Sequence, residues 1–307
     1  MGADSRPYFP SSPRKKRLVL SLCLFFLSVL STLAVGAQLA IAYAHNKAPF
    51  SGDFDPLAPF ELAWAHPRIL LLGIPFSFTL MGILLADELG HFFACRYYGI
   101  DATYPYFIPA PTLIGTLGAF IRIRSPIHDR RALFDVGLAG PVIGFLFAIP
   151  ALAFAVWYSK VMPGADANSF IVFGNPLIVK FLAFVLRPGV PLDSLLLNPV
   201  GRAAWVGIFA TALNLVPGGQ LDGGHIVYSI APEKHTRISL AVIVALVPLA
   251  LLWSGWLVWA VLLLVTGFRH PPLLDRWQPL DESRRAWAFV GLLIFVLCFT
   301  PMPFYVR

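Results

Sequence analysis

Long apolar stretches free of charge decide which solvent this chain can fold in. Residues 18–46, 136–159 and 238–268 contain no Asp, Glu, Lys or Arg, and residues 69–86 are equally bare. A helix needs roughly 20 mostly apolar residues to cross a bilayer. Hydrophobic residues make up 58% of the 307 and charged residues 13%, against about 25% charged in ordinary globular chains. Lipid is therefore the expected solvent. The formal net charge is +7. In a membrane protein Lys and Arg collect in cytoplasmic loops, and no basic patch is interleaved with aromatics as single-strand binding needs. A nucleic-acid partner is not expected. Cys23, Cys95 and Cys298 lie in apolar surroundings without a CxxC pair, so neither a disulfide framework nor a cysteine zinc site is expected.

Charge placement orders the spans. Arg14-Lys15-Lys16-Arg17 precedes the first, which reads as an uncleaved anchor with its N-terminus in the cytoplasm. Residues 1–17 form a basic cytoplasmic tail and residues 18–307 a single transmembrane domain. Asp53, Asp55 and Glu61 place the next segment outside. A second span begins at Ile69 and ends near Tyr98-Gly99, where Gly can stop a helix. Arg122, Arg124, Arg130 and Arg131 suit a cytoplasmic connection. A third span covers residues 136–159. An outer connection follows, with an interfacial or re-entrant helix over residues 170–186. A fourth span runs from Ala203 to Asp222. Residues 238–268 form one tilted helix or a hairpin turning at Ser254-Gly255. The hairpin is preferred, because it returns Arg269, Arg276, Arg284 and Arg285 to the cytoplasm. The last span covers residues 286–300.

Residues 101–125 read differently. Tyr104-Pro105-Tyr106-Phe107-Ile108-Pro109-Ala110-Pro111 cannot be a regular helix. Residues 116–124 partly alternate, as a strand does. Non-helical backbone at membrane depth survives only under protein or beside a wet cavity. Such a strand could pair with an extended substrate, or be a plain surface hairpin. The expected architecture is an all-α polytopic membrane protein, with about six or seven spanning helices and a small membrane-associated β element near residues 101–125. No internal repeat is visible, and the connections are too short for a PDZ domain.

Ionisable groups inside spans are costly and usually functional. Two clusters occur. In Asp87-Glu88-Leu89-Gly90-His91, positions i and i+4 put Asp87 and His91 on one helix face, with Glu88 beside them. In Asn214-Leu215-Val216-Pro217 and Leu221-Asp222-Gly223-Gly224-His225, the intervening Pro217, Gly218 and Gly219 should break the helix before Asp222. Catalytic zinc takes three protein ligands and keeps a fourth position for water, whose pKa it lowers to about 7. A neighbouring Glu then takes the proton and passes it to the leaving amine. Glu88 has the required place beside a ligand.

These motifs resemble the site-2 protease family of intramembrane zinc metalloproteases. That family carries H-E-x-x-H on one spanning helix and N-x-x-P-x-x-x-L-D-G on a later one. Here Glu88 and His91 match the first motif, and Asn214, Pro217, Leu221, Asp222 and Gly223 complete the second. His91-Phe92-Phe93-Ala94 and Gly137-Leu138-Ala139-Gly140-Pro141 are similar to bacterial members. The likeness covers about residues 65–300 and implies cleavage of transmembrane substrates with Zn2+ held by His91, Asp222 and a third ligand. It also implies a bacterial cell membrane as location and a site near the cytoplasmic face.

The family's first His is replaced by Asp87. Asp87 can ligate through oxygen, giving Asp87, His91 and Asp222. Alternatively the site binds zinc poorly and the chain is a pseudoprotease that still binds membrane peptides. Or the change is a single-residue alteration of an active enzyme. His225, three residues after Asp222, is either a substitute ligand or a residue that orients Asp222. Asn214 either donates to substrate or to a developing oxyanion, or only satisfies the helix break. His45, His66, His128, His235 and His270 read as interfacial or solvated.

The expected activity is thus zinc-dependent endoproteolysis inside the bilayer, with Glu88 and Asn214 catalytic. Its partners are transmembrane proteins and the lipid bilayer, and the oligomeric state stays open. The rivals are a non-enzymatic peptide binder and an ion or proton transporter using the same carboxylates and His91 as a relay.

Overall fold

The computed structural model describes residues 14–47, 55–164, 171–273, 275 and 277–306. The first 13 residues of the expected tail, Asp53, Phe170 and Arg276 lie outside the described residues.

Among the described residues three helices are long and apolar enough to cross a membrane, judged by length and composition. The first, α1 (Arg14–Ala44), covers the expected first span. A short α2 (Ala58–Ala65) follows. The second span enters as a 3-10 turn at Pro67–Gly73 and continues as α3 (Ile74–Tyr97). The third is α4 (Arg130–Tyr158). Its start is set by Asp129, whose side chain accepts from the Arg131 and Ala132 amides at 2.8 and 2.9 Å, the usual N-cap arrangement. These three helices make the chain an integral, multi-pass membrane protein.

The expectation of six or seven spans is corrected to three among the described residues. Beyond α4 come α5 (Leu177–Leu186), α6 (Pro199–Asn214), α7 (Asp222–Ile230), α8 (Pro232–Leu249), α9 (Gly255–Thr266) and α10 (Glu282–Cys298). At 10, 16, 9, 12 and 17 residues, α5, α6, α7, α9 and α10 fall short of a bilayer crossing. The 18 residues of α8 include Glu233, Lys234 and Arg237. The hairpin between α8 and α9 does turn just before Gly255. The apolar sequence of α6 is core: Trp205, Ile208, Ala203 and Ala204 are all buried within the protein.

The membrane-associated β element is also corrected. Strands occur only as two-stranded pairs among the described residues: β1 (Tyr106–Pro109) with β2 (Thr116–Phe120), β3 (Lys160–Val161) with β5 (Leu195–Leu196), and β4 (Ile171–Phe173) with β6 (Phe304–Val306). The β1–β2 hairpin is a short appendage on α1 in an all-α fold. Its ladder is broken between Phe107 and Pro109, because Pro cannot donate to it.

Small residues bring the spans together. A Cβ at Gly73 would lie 2.0 Å from the Leu33 carbonyl oxygen, and one at Gly36 would lie 2.7 Å from that of Gly73. Beside this crossing the buried hydroxyls of Thr32 and Ser77 meet at 2.7 Å. Close approach and interhelical hydrogen bonds are what hold helices together in lipid. Gly73→Ala should therefore force α1 outward and cost about 1–3 kcal/mol. Thermal unfolding in detergent measures this, and an unchanged midpoint would contradict the close crossing.

At the far end of the chain, Arg284 clamps α10 to the core. Its guanidinium grips Asp135 of α4 through Nε–Oδ1 at 2.9 Å and Nη2–Oδ2 at 2.6 Å, and Nη2 also donates to the Tyr98 hydroxyl at 2.9 Å. Burial pushes the Tyr98 phenol up to about 12, so it remains a neutral donor toward Asp135. Bidentate Arg–carboxylate geometry is the strong form of such a bond.

Candidate functional site

The site lies where α3, α4 and α7 converge. Asp87, Glu88 and His91 are buried, with 7%, 6% and 7% of their surfaces exposed. The i, i+4 spacing on α3 sets Asp87 Oδ2 3.7 Å from His91 Nε2. From 131 residues further along, Asp222 places Oδ2 3.2 Å from the same nitrogen. The two sequence clusters therefore meet at one point. His91 Nδ1 sits 2.7 Å from the Val136 carbonyl oxygen. A carbonyl can only accept, so Nδ1 carries the proton and Nε2 keeps its lone pair when the ring is neutral. Glu88 receives a hydrogen bond from the Ile121 backbone, so the segment after β2 reaches the site.

Glycine makes this convergence sterically allowed. A Cβ at Gly140 would fall 2.1 Å from His91 Nε2, one at Gly144 would fall 2.9 Å from Asp87 Oδ1, and one at Gly137 would fall 2.9 Å from the His225 Cβ. Residues 137, 140 and 144 lie along one helix face, so α4 presents a bare backbone strip to the carboxylates and the imidazole.

The break between α6 and α7 is built from two glycine pairs. Gly219 has φ +59°, a region that suits glycine. Its amide donates to Ser239 Oγ at 3.0 Å, and His235 Nε2 donates to its carbonyl at 3.1 Å. A Cβ at Gly223 would lie 2.2 Å from the Leu215 carbonyl oxygen, and one at Gly224 would lie 2.4 Å from that of Gly219. The loop thus folds back on the first turn of α7 and delivers Asp222 to the site. Asn214 ends α6 half-buried and makes no side-chain hydrogen bond among the described residues.

Three histidines need correction or completion. His235 is 1% exposed, a core residue rather than an interfacial or solvated one. His270 is also not free in solvent: it stacks on Tyr228 with ring centres 4.1 Å apart. His225 Nδ1 meets His270 Nε2 at 2.9 Å, and His270 Nδ1 meets the Pro271 carbonyl oxygen at 2.7 Å. Burial holds the His270 imidazole down at about 4. The ring is therefore neutral, its Nδ1 donates to Pro271, and its Nε2 accepts from His225. His225 is oriented by this chain, and its bonding partner is His270 instead of Asp222. Nothing in sequence spacing announces this cluster, since His270 is 45 residues from His225 and beyond two further helices.

Asp87 Oδ1 is buried without a hydrogen-bond partner. Among the described residues no group of three or more His, Cys, Asp or Glu side chains stands as a ready metal cluster. Cys95 and Cys298 are buried free thiols, and Cys23 is an exposed one.

Spanning helices that enclose two carboxylates and an imidazole from one motif, and a third carboxylate from another, define a multi-pass membrane protein with a buried acid–histidine centre. The chain belongs to peptidase family M50, whose sequence profile matches residues 75–255. It is 28% identical over 303 residues to a probable zinc metalloprotease, EGY1, chloroplastic, of Arabidopsis thaliana, covering 92% of this chain and 53% of that protein. It is 30% identical over 262 residues to a probable zinc metalloprotease, EGY2, chloroplastic, of Oryza sativa subsp. indica, covering 81% of this chain and 47% of that protein. The chain thus spans about half the length of the curated relatives it matches. No solved structure matches it.

Proposed function

We propose that the chain is an intramembrane zinc metalloendopeptidase of the site-2 type, hydrolysing peptide bonds of transmembrane substrates. One observation carries this reading: His91 Nε2 and Asp222 Oδ2, from two distant helices, lie 3.2 Å apart at a buried point beside Glu88. Donors around a tetrahedral zinc with bonds of about 2.0–2.1 Å stand about 3.3 Å apart, so this pair is spaced as two ligands would be. Asp87 Oδ1, buried and without a partner, is an oxygen that a cation would satisfy. His91, Asp222 and Asp87 would hold the ion, with His91 presenting Nε2. Zinc would supply Lewis acidity and make water a nucleophile at neutral pH.

The remaining roles belong to the chain. Glu88 takes the proton of the attacking water and returns it to the leaving amine. Asn214 donates to the substrate carbonyl as charge develops on its oxygen. The glycine strip on α4 lets His91 and Asp87 pack directly against its backbone. A substrate helix must unwind before a bond reaches the site, and Gly or Pro lowers that cost. The family's plant relatives are named chloroplastic; the location we favour for this chain is a bacterial cell membrane with the N-terminus in the cytoplasm.

A second reading rests on Asp87. An oxygen ligand in place of the imidazole adds negative charge and weakens the Lewis acid, which would leave a peptide-binding protein with little cleavage. Metal analysis of the purified chain beside Asp87→His separates the two. The enzyme reading expects about one zinc per chain after the substitution and a rise in cleavage of a transmembrane peptide in detergent. Metal retention without cleavage in both forms would favour the binder. Absence of metal in both, with proton flux in liposomes, would favour a transporter.

A further inference from the structure

A cleft of about 700 Å³ separates the start of α1 from the β1–β2 hairpin and the strand that leaves it. Arg17, Leu20 and Leu24 line one wall. Their spacing of three, four and seven residues puts them on one helix face. Phe120, Arg122 and Arg124 line the other. Alternate residues of an extended chain share a side, and the Ala102–Ile123 bridge and the bond from the Thr103 amide to the Arg122 carbonyl keep this segment extended. Both walls are graded in the same sense. Leu20, Leu24 and Phe120 form an apolar end with Phe107, and the three arginines form a cationic end.

The cationic end is largely uncompensated. Arg124 lies 3.5 Å from Asp101. The side chains of Arg17 and Arg122 have neither a hydrogen bond nor an ion pair among the described residues. Arg17 closes the basic run Arg14-Lys15-Lys16-Arg17 that precedes the charge-free stretch from Leu18, so the cationic end belongs at a membrane boundary while the apolar end extends along the helix toward the bilayer interior. A ligand that matches must carry negative charge at one end and hydrocarbon at the other.

We propose that this cleft binds an anionic phospholipid, with its phosphate among Arg17, Arg122 and Arg124 and an acyl chain against Leu20, Leu24 and Phe120. Guanidinium groups bind phosphate oxygens through paired N–H donors, and basic pockets between membrane helices take acidic headgroups. The site lies apart from His91 and Asp222 and does not depend on the peptidase reading. By joining α1 to the hairpin whose outgoing strand reaches Glu88, a bound lipid would stabilise that arrangement.

The test uses the full chain in nanodiscs or detergent and reads bound lipid by native mass spectrometry. Phosphatidylglycerol should be retained over phosphatidylcholine, and each of Arg17→Ala and Arg122→Ala should lower its retention about fivefold. Arg122→Lys should keep most of it. Arg96→Ala removes an exposed charge outside the cleft and should change nothing. Arg122→Gln serves if an alanine variant is unstable in detergent. Equal loss in Arg96→Ala would mean general surface charge and overturn the proposal. Full competition by inorganic phosphate, or capture of an acidic peptide with no lipid preference, would overturn it as well.

Discussion

Glu88→Gln should lower cleavage of a transmembrane peptide by about two to four orders of magnitude and leave zinc content unchanged. Glu88 is 6% exposed, lies between Asp87 and His91 in sequence, and is held by the Ile121 backbone. Gln keeps its shape and the accepting oxygen but cannot take a proton. A rate fall with intact metal is therefore the signature of a lost base. Loss of metal instead would mean that Glu88 is a ligand. The measurement is best run in both the native chain and the Asp87→His background, so that a slow starting rate does not hide the effect. Cleavage that stays within tenfold of the parent in both backgrounds would falsify the role given to Glu88.

The same residues mark where sequence reading succeeds. Asp87, Glu88 and His91 are grouped because a helix repeats every 3.6 residues, and a charged turn inside an apolar span is conspicuous. The second cluster is legible because Pro217, Gly218 and Gly219 must interrupt a helix. Even the convergence of the two clusters follows from the cost of leaving carboxylates alone in lipid. Of the glycine strip, Gly137 and Gly140 stand in a motif similar to bacterial members, whereas Gly144 does not. The strip's purpose, close approach of α4 to His91 and Asp87, needed coordinates.

The span count was not legible, for a physical reason. Apolarity marks a helix as buried without saying what buries it. α1 turns Leu18, Val19, Phe26 and Leu30 outward, whereas α6 hides Trp205, Ile208 and Ala212 inside the protein. Both read as membrane segments from sequence, yet α6 has 16 residues and ends at Asn214. The histidine chain from His225 to Pro271 was invisible for another reason. It depends on the path of the coil after α9, which carries His270 back to Tyr228, and no periodicity encodes that return.

Gly140→Ala should abolish metal binding, and a graded series around it tests the packing that makes the site. A Cβ there would fall 2.1 Å from His91 Nε2 and 2.4 Å from Cδ2. The imidazole yields only by giving up the bond from Nδ1 to the Val136 carbonyl of the same α4. Either the ring swings away from Asp222 or α4 moves off α3, and both separate the donors. Overpacking of this kind costs about 1–3 kcal/mol, so the chain should still fold, with a lowered unfolding midpoint and no zinc. Gly144→Ala should be milder, since the new atom would meet Asp87 Oδ1 at 2.9 Å and Asp87 Cβ at 3.1 Å, contacts longer than those at Gly140 and in part with a carboxylate that can rotate. Gly82→Ala on α3 has nothing within 4 Å of the new atom and should be neutral or stabilising by up to about 1 kcal/mol, as Ala is in a helix. The expected order of zinc loss is therefore position 140, then 144, then none at 82. Equal metal content in all three would mean that α4 does not press against His91, and the site geometry would have to be redrawn around Asp222 alone.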